Sequence, residues 1–138
     1  MAEVTLKIIG TQMTFDGEEN IIEMITQGKY YERSGSMFIV YDESELSGME
    51  GSTTTLKIED EKVMMKRFGS NESKLIFEKG IRHKTAYKTM YGDMEMEIVT
   101  SQIDIKKDEE GLKKLDLSYK LNVSPNTEMK NQLSIDVI

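Results

Sequence analysis

Cysteine and tryptophan are absent from this chain of 138 residues, and histidine and proline each occur once. Without cysteine there is no disulfide framework, no thiolate metal site and no thiol nucleophile. A single histidine excludes multi-histidine metal centres. No nucleophile elbow or Ser-His-Asp arrangement is readable, so neither an enzymatic activity nor a cofactor is expected. A pair of catalytic carboxylates would leave no signature at this level. Apolar runs are short as well, far from the ~20 residues that a membrane-spanning helix needs. The segment Met1-Ala2-Glu3-Val4-Thr5-Leu6-Lys7 lacks the basic flank and apolar stretch of a signal peptide, and a cytoplasmic location is expected. Nor is there an excess of cations: 18 Lys and Arg stand against 25 Asp and Glu, a net charge of −7. That balance opposes binding to nucleic-acid phosphates or to anionic membrane surfaces. The densest basic pairs, Lys106-Lys107 and Lys113-Lys114, flank Asp108-Glu109-Glu110 and read as a solvated turn.

What is present is a rhythm. Short β-rich runs alternate with turn signals at intervals of roughly 8–12 residues, the spacing of a sandwich or barrel. In the clearest run Leu115, Leu117, Tyr119, Leu121 and Val123 alternate with Lys114, Asp116, Ser118, Lys120 and Asn122. A period of two puts one set in a core and the other in water. Comparable runs occupy Val4–Ile8, Ile22–Tyr30, Met37–Tyr41, Thr53–Ile58, Val63–Phe68, Leu75–Phe77, Ile81–Thr89, Met94–Ile98 and Met129–Val137. Inward parity slips between Ile98 and Ile103, which places a β-bulge near Thr100-Ser101. The best helix candidate, Glu18–Ile25, is weakened by its β-branched isoleucines. The reading is one all-β domain over residues 1–138. It is a single antiparallel up-and-down β-barrel of about ten strands, because a long run of hairpins tends to curl and close.

The stretch Ser47-Gly48-Met49-Glu50-Gly51-Ser52-Thr53-Thr54-Thr55-Leu56-Lys57-Ile58 resembles the YwiB-like family of bacterial β-barrel proteins. Gly28-Lys29-Tyr30-Tyr31, Arg67-Phe68-Gly69 and Tyr91-Gly92 add to the resemblance, while Met90 stands where the pattern has proline. The resemblance implies a calycin or lipocalin-like barrel and carries no function with it. Many calycins hold small apolar ligands inside the barrel, but fold does not fix function.

The interior is where chemistry would lie. Ile81, His83, Thr85, Tyr87 and Thr89 share one parity, and Arg82, Lys84 and Lys88 mark the other as wet. On another run Arg67 shares parity with Val63 and Met65. Arg67, His83 and Tyr87 are therefore the candidate ligand-binding residues, projecting into a common lumen. A buried guanidinium needs an anionic partner. That partner is either a carboxylate-bearing, partly apolar ligand or a carboxylate of the fold, Glu50 or Glu78. The opposite parity, with Met64 and Phe68 inside and Arg67 outside, stays open, as does an ordinary core role for His83. The two glycines of Ser47–Ser52 read as a turn or bulge, since a phosphate loop needs a following helix. Two functions compete: binding of a small, partly apolar anion in the lumen, or a protein-interaction or homodimeric module with a packed barrel.

Overall fold

Alternation of apolar and polar residues carries through into a computed structural model made of strands. It describes residues 2–14, 16–44, 50–69, 72–89, 92–124 and 127–138, without the side chains at 87–89, 93, 94 and 124. Ser47–Met49, the Met90-Tyr91 pair and the Pro125-Asn126 turn lie outside the described residues. Ten strands follow one another: β1 (Ala2–Met13), β2 (Glu19–Arg33), β3 (Ser36–Asp42), β4 (Ser52–Ile58), β5 (Lys62–Gly69), β6 (Ser73–Glu78), β7 (Arg82–Thr89), β8 (Gly92–Asp108), β9 (Gly111–Ser124) and β10 (Thr127–Val137). All pairings are antiparallel, in the order β6-β5-β4-β3-β2-β1-β10-β9-β8-β7. The first and last strands pair with each other, so the break in the ring falls mid-chain, between β6 and β7.

The helix candidate at Glu18–Ile25 is strand β2 instead, laddered to β1 from Ala2↔Tyr30 to Met13↔Glu19. The expected bulge is present: Thr100 pairs with Tyr119 and Gln102 with Ser118, which leaves Ser101 as the extra residue. The β2–β3 hairpin turns in two residues, Ser34 (φ 53°) and Gly35 (φ 83°). Both are left-handed, which is the type I′ geometry that matches strand twist.

The barrel is filled through its middle. Leu6, Ile39, Leu56, Val63, Phe77, Leu115 and Ile135 are completely buried. At about 1.5–3 kcal/mol for each large apolar side chain taken out of water, this layer supplies most of the driving force for closure. One end is sealed by Tyr30, whose hydroxyl donates to Glu32 at 2.8 Å and accepts from the Leu112 amide at 3.3 Å. Gly111 makes room for that ring: at φ 122° a Cβ there would lie 2.7 Å from Tyr30. Gly28 is equally tight, with the Val40 carbonyl 2.8 Å from where a Cβ would sit.

Among the described residues no ladder joins β6 to β7, and side chains bridge the seam instead. The Thr85 hydroxyl donates to the Lys74 carbonyl at 2.7 Å, and His83 Nε2 lies 3.0 Å from Glu78 Oε1. Inside the seam the Phe77 and Tyr119 rings pack with centroids 4.6 Å apart. The result is a nearly closed barrel. No helix is long and apolar enough to cross a membrane among the described residues.

Candidate functional site

Three consecutive strands, β3, β4 and β5, build the polar end of the barrel. Their registers align Tyr41 with Thr54, and Thr54 with Arg67, so three inward positions stand side by side. Glu43 follows two residues after Tyr41, on the same inward parity, and its amide is tied to the Ser52 carbonyl at 2.9 Å. The Thr54 hydroxyl donates to Glu43 Oε1 at 2.6 Å. Arg67 Nε reaches Glu43 Oε1 at 3.4 Å and Thr54 Oγ1 at 3.3 Å. The Tyr41 ring is buried next to Thr54, its cross-strand partner. Burial, and then the Glu43 charge, push its phenol well above the usual tyrosine range, while Arg67 pulls the other way. Tyr119 is shifted upward too, by burial and against the opposing charge of Arg67. Both rings are therefore neutral hydroxyls at physiological pH.

Above this cluster the barrel is not filled. A cavity of about 250 Å3 opens at this end, and both Glu43 and Arg67 line it. Its apolar wall includes Ile8, Ile22, Met24, Met65 and Leu133. Polar groups enter from Gln12, Asn20, Tyr119 and Asn131. Gly10 contributes the missing volume: nothing lies within 4 Å of where its Cβ would be. Asn131 is held by a bond from Nδ2 to the Met129 carbonyl at 3.2 Å. The site is thus mostly apolar with a few fixed polar groups, the usual make-up of a small-molecule pocket, though below the roughly 300–1,000 Å3 of drug-sized sites. A larger depression of about 580 Å3 at the sealed end is open ground between turns, edged by Glu32, Arg33, Glu59, Asp60 and Lys107.

Of the expected trio, Arg67 lines the cavity and His83 does not. Arg67 faces inward, as its shared parity with Val63 and Met65 requires, and Phe68 is exposed. Its carboxylate partner is neither Glu50 nor Glu78 but Glu43. Glu78 engages His83 instead, and His83 is on the seam, not among the residues lining the cavity. The Tyr87 side chain lies outside the described residues, its backbone being paired with Met94. Sequence reasoning missed Glu43, Tyr41, Tyr119 and Asn131. A signal for Tyr41 and Glu43 existed, since both continue the inward parity of Met37 and Ile39 towards the strand end. Lys113 ion-pairs with Asp108 at 3.7 Å and Glu110 at 3.2 Å, so the basic pairs do form a solvated turn. Among the described residues, no group of three or more His, Asp or Glu is placed to hold a metal ion.

Known proteins agree with this architecture. The crystal structure of the ywiB protein from Bacillus subtilis superposes with a TM-score of 0.72 at 20% identity, covering 99% of this chain and 93% of that one. The uncharacterized beta-barrel protein YwiB of Bacillus subtilis (strain 168) is 26% identical over 121 residues, 87% of this chain and 82% of its own length. A family model described as a domain of unknown function, DUF1934, matches residues 6–135, nearly the whole barrel, and the chain belongs to that family.

Proposed function

We propose that this protein is a non-enzymatic binder of a small, partly apolar ligand with an anionic head group, held in the open end of the barrel. The observation that carries this reading is an inward guanidinium at the wall of an unfilled cavity, in a barrel otherwise packed to near-complete burial. A guanidinium has five donors in a planar fork. Its Nε serves Glu43 and Thr54, and the outer nitrogens are suited to a carboxylate. Tyr119 and Asn131 add hydrogen-bonding groups at the rim, and the methionines give a wall that adapts to ligand shape.

Native mass spectrometry of protein purified from its own host tests the proposal, with Gly10→Leu as the control that fills the cavity. The expected result is a co-purifying small molecule that the Gly10→Leu variant lacks. Protein that is empty in both forms, and shows no NMR shifts at Ile8, Met24 or Leu133 with short carboxylates, would refute it.

A second reading rests on a different surface. Ile21 and Ile25 share the outer face of β2 at 63% and 64% exposure, and exposed apolar side chains of this kind mark interfaces. In that case the chain is a homo-oligomeric module. A monomer in sedimentation equilibrium across the micromolar range removes this reading and leaves the first untouched.

A further inference from the structure

The charge balance of the cavity restricts its ligand further. Resting on the lumen-binding reading above, we propose that the ligand is a small zwitterion, an ammonium and a carboxylate on a short apolar tail, as in an apolar amino acid. Two charged residues line the cavity, Glu43 and Arg67, and they are of opposite sign. The remaining polar lining is neutral, being amides, phenols and the Thr11 hydroxyl. The site therefore has no net charge.

Solvent does little to hide either charge. The Glu43 side chain is 3% exposed and that of Arg67 17%, with Oε1 and Nε 3.4 Å apart. A simple anion docked on Arg67 would stand within a few ångströms of the Glu43 carboxylate, with little water between them. Repulsion at that range is strengthened by the low local dielectric. A simple amine docked on Glu43 meets the mirror-image problem at Arg67. A ligand with both charges answers both residues and leaves the cavity neutral. Glu43 has acceptor capacity for it, since an ionised carboxylate offers about four lone-pair sites. Thr54 and Arg67 account for two described contacts, both to Oε1.

The tail follows from the walls. Ile8, Met24, Met65 and Leu133 bound the space beside the ion pair, and the vacancy over Gly10 extends it. At about 250 Å3 there is room for a branched aliphatic or single-ring side chain and little more.

The test compares three probes with the same isobutyl group by NMR titration of the full chain: L-leucine, 4-methylpentanoate (no amine) and 3-methylbutylamine (no carboxylate). L-leucine is expected to bind at least about tenfold more tightly than either of the others, with shifts clustered on the cavity walls. Glu43→Gln keeps the side-chain size and removes the charge. It is expected to reverse the order, so that 4-methylpentanoate binds at least as well as L-leucine. Should 4-methylpentanoate match L-leucine on the unaltered protein, the zwitterion is overturned while anion binding in the lumen stands. If none of the three binds at millimolar concentration, both readings fall.

Discussion

Breaking the Glu43–Arg67 pair is expected to be among the most destabilising polar changes available in this fold. Removing one partner of a buried pair typically costs about 3–5 kcal/mol, because the other charge is left uncompensated. The two residues are not equally buried, so the two losses should differ. Arg67→Met leaves Glu43, only 3% exposed, without its cation. Thr54 still donates to it, and the loss should be about 3 kcal/mol. Glu43→Gln leaves Arg67, which at 17% exposure is less completely buried than Glu43. That loss should be smaller, about 2 kcal/mol. The double variant contains no charge and a similar volume, so it should lose less than the sum of the two. A coupling of about 1–3 kcal/mol is expected for groups in direct contact.

Urea unfolding followed by circular dichroism measures all four corners of the cycle. With m of about 1–3 kcal/mol/M, each single change moves the midpoint by roughly 1–2 M. Equal slopes across the set are needed for the arithmetic to hold. A coupling within about 0.5 kcal/mol of zero would mean that each charge is solvated independently. The low-dielectric cavity, and with it the selectivity for paired charges, would then be wrong.

Other expectations follow from particular residues. Ser34 occupies a left-handed position (φ 53°) that glycine adopts freely, so Ser34→Gly should raise stability by about 0.5–1 kcal/mol in the same assay. Thr100 Oγ1 is buried with no hydrogen-bond partner among the described residues. Thr100→Val keeps the shape and removes the stranded hydroxyl, and should be neutral or stabilising by about 1 kcal/mol; a clear loss would reveal a missed partner. Gly111→Ala places a methyl against Tyr30 at a φ of 122° and should cost at least about 1–3 kcal/mol. Tyr41 has a folded-state pKa raised above its unfolded value, chiefly by burial. The native state therefore holds its proton longer, and stability present below pH ~10 is lost as pH rises through the folded value. Tyr41→Phe should flatten part of that alkaline decline in a pH series of unfolding curves.

Much of the fold was legible because a barrel of hairpins is encoded locally. Leu115, Leu117 and Tyr119 announce their strand by a period of two, and the parity slip between Ile98 and Ile103 locates Ser101 as the bulge. The weak helical appearance of Glu18–Ile25 has a physical source. Ile21 and Ile25 are apolar on the outer face while Ile22 and Met24 point inward, so the alternation is blurred into an apparent helical spacing. The site was less legible because it depends on which hairpin end meets which. Parity with Val63 and Met65 pointed Arg67 inward but left the opposite face open, because Met64 and Phe68 form a second apolar set. The partner of Arg67 lies 24 residues away, beyond the end of β3, and only the combined registers of β3, β4 and β5 bring Glu43 there. His83 followed the same parity rule, yet parity says nothing of depth. It stands at the seam beside Glu78, five residues earlier in the chain, where no ladder holds β6 to β7.

The contrast between the two ends of the barrel bears on function most directly. At one end Tyr30 packs over Gly111 and satisfies its own hydroxyl with Glu32 and the Leu112 amide. At the other end stands an ion pair with a glycine facing empty volume. Stability does not require that arrangement, because well-packed apolar residues in place of a buried ion pair are often neutral or stabilising. A Cβ at Gly10 would meet nothing within 4 Å, so alanine there carries no steric cost. The open end therefore has a polar, preorganised and underfilled construction that folding alone leaves unexplained. A bound molecule that fills the volume and engages both charges accounts for all three features at once.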